Sequence, residues 1–217
     1  MERIPEPELM TELEQVKAYA NADFEAVNRS FVDAVLAFYG PDEDARVLDL
    51  GCGPGDIACK VGSARPGWDV LGVDGSGPML LWAESASHAQ KLNNVHFRKA
   101  YLPHAPFDEP FDLILSNSLL HHLPKPEILW ETIRQNGKVG TRFFVMDLSR
   151  PESQQTARAI VDTHSGNEPD VLRSDFFHSL LAAYRPEEVL QQIADAGIEN
   201  ARLFLPSERH WIVSGTL

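Results

Sequence analysis

Apolar residues recur with two different spacings along the chain, and these spacings predict the order of its helices and strands. Near the amino terminus they recur every three or four positions, at Phe24, Val27, Phe31, Val35 and Phe38. That spacing places them on one face of a helix. Two N-terminal helices are therefore predicted, over residues 8–22 and 24–39.

From residue 46 onward, short apolar runs typical of buried strands alternate with longer segments of helical spacing. The predicted strands are 46–50, 69–74, 95–98, 111–116 and 141–148. The predicted helices are 55–64, 77–92, 125–135 and 186–196. This alternation is typical of an α/β domain, in which a mostly parallel sheet carries helices on both faces.

The end of the chain has a different pattern. Residues 201–205 and 209–214 are two β-rich runs separated by only three residues, so we expect them to pair antiparallel. The preceding segment, residues 149–185, is long for a connection. It contains two further helical patterns, over 154–161 and 171–183.

Composition and charge limit the classes of function. The 217 residues are 43% hydrophobic and 24% charged, as in a soluble globular protein. The net charge is −13, and residues 1–45 carry 11 Asp or Glu against 3 Lys or Arg. Such a surface repels polyanions, so no nucleic-acid partner is expected. Without an apolar run of about 20 residues or a signal peptide, we expect a cytoplasmic protein with no membrane partner.

The most informative stretch is residues 47–56, V-L-D-L-G-C-G-P-G-D, which predicts a buried strand, a glycine-rich turn and the start of a helix. Gly51 and Gly53 allow positive φ angles and let a ligand approach the backbone closely. Asp74 ends the next strand, about 20 residues on, where an acid can accept hydrogen bonds from ribose hydroxyls. These features predict a socket for a nucleoside-bearing cofactor.

Two classes of cofactor use such a socket. Dinucleotide-binding proteins carry a third glycine where this chain has Asp56, and a carboxylate there would repel a pyrophosphate. Asp49, just before the turn, also suits a cationic ligand better than a diphosphate. An NAD-dependent oxidoreductase therefore remains an alternative that the sequence disfavours.

The string D-L-G-C-G-P-G at 49–55 resembles motif I of class I S-adenosylmethionine-dependent methyltransferases, and F-D-L-I-L-S-N at 111–117 with L-L-H-H-L at 119–123 resembles the same family. The resemblance extends over residues 46–148. It implies a Rossmann-like, mostly parallel seven-stranded sheet with an antiparallel C-terminal hairpin. It also implies S-adenosyl-L-methionine as cofactor and S-adenosyl-L-homocysteine as product.

Ligands of open α/β sheets lie at the carboxyl ends of the strands, which identifies the candidate cofactor-binding residues. Asp49 is placed to serve the amino group of the cofactor, and Asp74 its ribose. Many members of the family have an acid after strand three that binds the adenine. This chain has none there, and Tyr101 or a backbone carbonyl is expected instead. The predicted set is Asp49, Gly51, Cys52, Gly53, Asp74, Gly75, Ser76, Met79, Tyr101, Leu102 and Asn117.

His121 and His122 follow strand four and are the candidate catalytic residues, because an imidazole can accept a proton near neutral pH. The alternative is a structural role, in which one of them packs against or caps the next helix. No third ligand at a suitable spacing is evident, so no metal site is expected. Asp147, Arg150 and Tyr184 are candidates for contact with the acceptor, and Arg150 would suit a carboxylate.

The resemblance implies methyl transfer by in-line displacement, and the acidic surface favours a small-molecule acceptor. Residues 1–45 and the insert 149–185 are expected to cover the site of a catalytic domain spanning 46–217. A non-catalytic regulatory module that binds S-adenosylmethionine or S-adenosylhomocysteine is the second alternative. The sequence specifies neither the acceptor nor the oligomeric state.

Overall fold

The computed structural model describes residues 1–6, 13–41, 44–103 and 107–217. Its strands are β1 (Arg46–Leu50), β2 (Asp69–Asp74), β3 (Val95–Lys99), β4 (Leu113–Asn117), β5 (Arg142–Leu148), β6 (Asn200–Ser207) and β7 (His210–Thr216). Its helices are α1 (Leu13–Asn21), α2 (Glu25–Tyr39), α3 (Asp56–Ala64), α4 (Gly77–Ala89), α5 (Glu127–Asn136), α6 (Gln154–Ser165), α7 (Asp170–Ala182) and α8 (Pro186–Asp195). Residues 8–12 of the predicted first helix lie outside the described residues.

The described strands form one seven-stranded sheet in the order β3-β2-β1-β4-β5-β7-β6. The first five strands are parallel, and β7 pairs antiparallel with both β5 and β6. The predicted Rossmann-like sheet with an antiparallel C-terminal hairpin is therefore confirmed. The strand order reverses between β1 and β4, which is where open α/β sheets bind their ligands.

Both faces of the sheet are covered by helices, which explains why its central strands read as apolar runs rather than alternating ones. Val47 of β1 packs on one face in a core shared with Phe31 of α2. The next residue, Leu48, packs on the other face with Trp130 of α5 and Val189 of α8. This two-sided burial fixes β1 in the centre of the sheet and holds the turn that follows it.

Several element boundaries differ from the sequence prediction, and two of these differences have clear local causes. Helix α4 ends at Ala89 rather than 92, because Lys91 adopts a left-handed conformation with φ 56°. Strand β4 begins at Leu113 rather than 111, since the Phe111 amide donates to the Asn136 carbonyl at the end of α5. At its carboxyl end, β4 extends one residue further than predicted, to Asn117.

The carboxyl edge of the sheet is flanked by the elements that were expected to cover the site. Helix α1 contacts α4 and α7, and α6 packs against α7. Residues 1–6, here called the N-terminal strap, run beside α7, and the Ile4 amide donates to the Leu181 carbonyl at 3.0 Å. Among the described residues, none of the helices combines the length and the apolar character that crossing a bilayer requires.

Candidate active site

The turn after β1 is held tightly against β2. Gly51 and Gly53 adopt φ angles of 71° and 51°, which confirms the expected positive values. The amides of Gly51 and Cys52 both donate to the Val73 carbonyl, at 2.9 and 3.0 Å. A Cβ atom on Gly51 would lie 2.8 Å from Leu119 Cδ1, closer than side chains approach one another. The turn therefore needs glycine for its conformation and for the space beside it.

Asp74 closes β2 directly beside this turn. Its Oδ2 accepts from the Gly53 amide at 2.9 Å, and its Oδ1 accepts from the Ser76 amide at 2.7 Å. Burial raises the pKa of Asp74, while these backbone donors oppose the shift. Each carboxylate oxygen has a second lone pair, so Asp74 is oriented by the backbone and still able to accept from a ligand hydroxyl.

Asp49 is a buried carboxyl group that lacks a complete set of partners. Only 2% of the residue is exposed, and Asp49 Oδ2 has no hydrogen-bond partner among the described residues. Burial, together with the nearby charge of Asp74, raises the pKa of Asp49 to about 8. A buried acid of this kind is stabilised in its charged form by a cationic ligand group. The residues at the end of β1 thus fit a ligand that carries an ammonium.

Two adjoining cavities, of about 410 and 280 Å³, open over this edge of the sheet and share part of their lining. Their size is that of a site for a small molecule or cofactor. All the predicted cofactor-binding residues line one or both of them: Asp49, Gly51, Cys52, Gly53, Asp74, Gly75, Ser76, Met79, Tyr101, Leu102 and Asn117. The geometry therefore brings the whole set together at one edge of the sheet.

Helices α1 and α2 contribute lining residues that no sequence motif identified. Tyr19, Phe24 and Asn28 line both cavities. Burial raises the pKa of Tyr19 to about 12, so its hydroxyl stays protonated and can donate. Asn28 Nδ2 donates to Asp56 Oδ2 at 2.8 Å, which ties α2 to the start of α3. The helical spacing predicted these two helices, but it gave no signal for which side chains face the ligand.

His121 and His122 lie in a short 3₁₀ turn, Leu120–His122, and both line the larger cavity. His121 is 2% exposed, and its Nδ1 donates to Asp147 Oδ1 at 2.5 Å. The His121 amide also donates to Asp147 Oδ2 at 3.2 Å. Burial alone would lower the pKa of His121, but the Asp147 carboxylate more than offsets it and the pKa is raised. Asp147 thus orients the His121 ring and leaves Nε2 as its second ring nitrogen.

The three candidate acceptor-binding residues lie outside the described lining of the cavities. Asp147 supports His121, as described above. Arg150 is buried and donates to the Ala183 carbonyl at 3.0 Å and to Glu188 Oε1 at 2.5 Å. The Tyr184 ring lies under the Arg3 guanidinium, 4.2 Å from it.

Two charged residues that sequence reasoning did not select lie close to the cavity or its histidines. Arg209, in the turn between β6 and β7, lines the larger cavity. Among the described residues, no carboxylate forms an ion pair with its guanidinium, and the neighbouring Glu208 pairs with His164 instead. Burial lowers the pKa of Arg209, and the charge of Glu208 opposes this shift. In the N-terminal strap, Glu6 Oε1 lies 3.4 Å from His121 Nε2 and 3.2 Å from His122 Nδ1. Neither residue belongs to a motif, so only the fold reveals them.

Comparison with known proteins agrees with this geometry. A family model described as a methyltransferase domain matches residues 41–202. The chain belongs to this methyltransferase-domain family. Because the match runs from the residues before β1 to β6, it covers the glycine turn, Asp74 and the two histidines.

Similar solved structures have the same fold over almost the whole chain. A SAM-dependent methyltransferase from Aquifex aeolicus superposes with a TM-score of 0.70 at 20% identity, covering 95% of this chain and 98% of that one. The plantazolicin methyltransferase BpumL, in complex with a pentazolic desmethylPZN analogue and SAH, gives 0.73 at 15% identity, covering 94% and 90%.

Curated relatives align over shorter stretches. A trans-aconitate 2-methyltransferase of Deinococcus radiodurans is 37% identical over 97 residues, which are 43% of this chain and 35% of that protein. An uncharacterized methyltransferase of Schizosaccharomyces pombe is 36% identical over 88 residues, 37% of this chain and 32% of that protein. The chain thus matches about a third of the length of these relatives.

Proposed function

We propose that this protein transfers the methyl group of S-adenosyl-L-methionine to a small-molecule acceptor. The proposal rests on one observation: a buried oxygen of Asp49 has no hydrogen-bond partner among the described residues. It lies beside a glycine turn whose Gly53 amide donates to Asp74. This arrangement suits a ligand with an ammonium at one end and a ribose next to it. The sulfonium of the bound cofactor supplies an already activated methyl group.

In this proposal each cofactor-binding residue has a defined task. Asp49 pairs with the amino group, and the Gly51–Gly53 turn approaches the rest of the methionine moiety. Asp74 accepts from the ribose hydroxyls through its remaining lone pairs. Met79, Tyr101 and Leu102 enclose the adenine, since they line the same cavity on the β2 and β3 side of Asp74.

The acceptor end of the cavity is formed by side chains on its opposite wall. His121 and His122 line it there, and so do residues of α7 such as Leu172 and Phe176. We propose that the two histidines activate the acceptor. The acceptor atom gives up its proton to one of the two imidazoles, and its lone pair forms the bond to the methyl carbon as the carbon–sulfur bond breaks toward sulfur. In-line alignment supplies roughly 7–11 kcal/mol of the lowering of the barrier.

Two features favour a small acceptor: the cavity is covered by other segments of the chain, and the protein has a large negative net charge. The N-terminal helices and the insert 149–185 both contribute to the cavity lining, which supports a role for them as its lid. A net charge of −13 opposes nucleic acid. The relatives are named for very different acceptors: trans-aconitate, a release-factor glutamine and an rRNA uracil. Sequence similarity alone therefore does not identify the acceptor of this protein.

Arg209 indicates the chemical class of the acceptor. A half-buried guanidinium that faces the cavity, without an ion pair among the described residues, is stabilised by an anionic ligand group. Arg150, which the sequence offered for this task, is instead engaged by Ala183 and Glu188. We therefore propose a small acceptor that bears a carboxylate or another acidic group held by Arg209.

The proposal is tested by incubating the protein with methyl-deuterated S-adenosylmethionine and a metabolite extract, and by searching for labelled products with mass spectrometry. An acidic metabolite that gains one labelled methyl group is expected, and less of this product is expected with Asp74→Ala at the same cofactor concentration. A protein that binds the cofactor but labels nothing in an extract or a panel of acids would instead be a regulatory binding module.

A further inference from the structure

Three potential ligand atoms from opposite ends of the chain meet at the wall of the larger cavity. Glu6 of the N-terminal strap joins His121 and His122 of the 3₁₀ turn, and one ligand atom from each lies within 4.8 Å of the others. Glu6 Oε1 is 3.4 Å from His121 Nε2 and 3.2 Å from His122 Nδ1. The sequence offered no third ligand near the histidines, because Glu6 reaches them only through the fold.

The spacing of these atoms is that of ligands around one ion. Tetrahedral coordination at about 2.0–2.1 Å places neighbouring ligand atoms roughly 3.3 Å apart. Both distances to Glu6 Oε1 agree with that value. The Glu6 side chain is 10% exposed, yet Oε1 has no hydrogen-bond partner among the described residues. Both of its contacts with the rings are at ion-pair distance.

Neighbouring groups hold the His121 ring and the Glu6 carboxylate in place by hydrogen bonds, as is usual for metal ligands. Asp147 Oδ1 accepts from His121 Nδ1 at 2.5 Å, which fixes the ring and leaves Nε2 toward Glu6. A carboxylate behind a histidine ligand is the common supporting arrangement in metal sites. The Ser179 hydroxyl donates to the Glu6 carboxylate, and Asp175 adds negative charge nearby.

The N-terminal strap is anchored in a way that places Glu6 reproducibly. Arg3 Nη2 donates to the His121 carbonyl at 2.8 Å, and Arg3 Nε donates to the Ala182 carbonyl at 2.5 Å. The Ile4 amide is bonded to Leu181, as described above. The strap is thus fixed both to the 3₁₀ turn that carries the histidines and to the end of α7.

We propose that Glu6, His121 and His122 bind a divalent transition-metal ion of the zinc type, with an open coordination position facing the cavity. Two imidazoles and one carboxylate are a donor set that zinc accepts, and catalytic zinc sites keep one position free. The histidines, but not Glu6, belong to the cavity lining, so the free position lies on the acceptor side.

The role of the ion, unlike its binding, rests on the proposed methyl transfer. With such an ion bound, the two histidines would be its ligands rather than the base. The ion would lower the pKa of an acceptor hydroxyl or thiol at the open position, so that this group would release its proton to solvent more readily. The resulting oxyanion or thiolate is the stronger nucleophile. The class of acceptor that fits is a hydroxy acid or a thiol acid. Its hydroxyl or thiol would bind the ion, and its acidic group would bind Arg209.

The test uses tag-free full-length protein that has been treated with a chelator and then titrated with Zn²⁺, followed by Co²⁺ as a spectroscopic probe. One ion per chain is expected by elemental mass spectrometry, together with a visible Co²⁺ spectrum of tetrahedral intensity. Glu6→Gln and His122→Ala should weaken Zn²⁺ binding by more than about 100-fold. Asp147→Asn, which removes only the supporting carboxylate, should weaken it by about 10–100-fold.

Matched controls separate loss of a ligand from loss of the fold. Glu2→Gln changes an exposed glutamate of the same strap, and His88→Ala an exposed histidine of α4, so both should bind Zn²⁺ like the wild type. Circular dichroism and S-adenosylhomocysteine calorimetry on the same samples report the fold and the cofactor site independently.

The outcomes distinguish this proposal from the proposed function. No Zn²⁺ uptake by folded protein that binds S-adenosylhomocysteine would overturn the metal site alone, leaving the histidines as a metal-free base. Unchanged Zn²⁺ affinity in Glu6→Gln would also overturn it. Zn²⁺ binding without any affinity for S-adenosylhomocysteine would support the site and overturn the methyltransferase proposal instead.

Discussion

The two ends of the cavity are built in different ways. At the proposed cofactor end, the Gly51–Gly53 turn follows β1 and Asp74 ends β2, the next strand, and backbone amides hold the carboxylate in place. At the proposed acceptor end, His121 and Arg209 line the cavity and Glu6 lies beside His121. These residues come from the turn after β4, the β6–β7 hairpin and the N-terminal strap. One end is made by local backbone geometry and the other by side chains that only the tertiary structure unites.

This difference indicates which changes each end tolerates. A binding site formed mainly by backbone groups depends on a few residues with fixed conformations. The same motif can therefore form it in many proteins of the fold. A wall built from side chains on separate segments can change its chemistry without disturbing the sheet. The cofactor end should therefore be the part shared with the family, and the acceptor end the part that sets the substrate.

Replacing Asp74 should produce the largest effect, and it should be confined to the cofactor end. Asp74→Ala leaves ribose hydroxyls unpaired and is expected to weaken S-adenosylhomocysteine binding by about 1–3 kcal/mol, or roughly 5- to 150-fold, by calorimetry. Asp69→Ala, an exposed acid at the start of the same strand, is the matched control and should bind normally. Equal losses in both variants would mean that β2 as a whole, rather than the ribose contact, had been damaged.

The pH dependence of cofactor binding gives a second test of the cofactor end. Because the pKa of Asp49 is about 8 in the free protein, its carboxyl is mostly protonated at pH 6 and must ionise to pair with an ammonium. Affinity should therefore rise with pH, by up to about 10-fold per unit below pH 8, and then level off. Calorimetry in buffers of different ionisation enthalpy should show proton release. A flat profile in the wild type, or a steep one in Asp49→Asn, would contradict this role.

Arg209 tests whether the acceptor end acts independently. Arg209→Gln is expected to raise the KM for an acidic acceptor about 10-fold while leaving S-adenosylhomocysteine affinity unchanged, since it removes a charge-assisted contact to the acceptor only. Arg202→Gln, an exposed arginine on β6, is the control. A change in S-adenosylhomocysteine affinity with no change in the KM for the acceptor would mean that Arg209 contacts the cofactor and not the acceptor.

A last test of Asp49 concerns the stability of the fold rather than binding. The pKa of Asp49 is higher in the folded chain than the ordinary value near 3.9 of the unfolded one, so the folded state holds more protons between these values. Wild-type stability should consequently fall as pH rises from 5 to 8. Relative to Asp49→Asn, the loss should be about 1 kcal/mol per pH unit in urea unfolding. Parallel pH profiles for the two proteins would show that Asp49 is not the group responsible.

The same contrast explains how much could be predicted from sequence. The order of strands along the chain was predictable from the periodicity of apolar residues. The glycine turn and Asp74 were predictable because a short sequence motif and its spacing encode them. The φ angles of Gly51 and Gly53 and the antiparallel β6–β7 hairpin are confirmed. Boundaries such as the end of α4 were not predictable, since they depend on the conformation of one residue, Lys91.

The acceptor end could be predicted only in part. His121 and His122 were identifiable because they follow the end of a strand in a run of residues that resembles the family. The proximity of Glu6 and Arg209 had no local signal, because it depends on how the strap and the hairpin fold back over the sheet. Arg150 illustrates the opposite case, since its place after β5 indicated a ligand contact while its guanidinium is engaged by Ala183 and Glu188.

The central claim is that the turn after β1, with Asp49 and Asp74, holds a sulfur-containing nucleoside. Calorimetric titration of the wild-type protein with S-adenosylhomocysteine and, separately, with NADH tests it most directly. The account predicts saturable binding of one S-adenosylhomocysteine per chain, weakened in Asp74→Ala, and no binding of NADH. Tight binding of NADH with none of S-adenosylhomocysteine would contradict it.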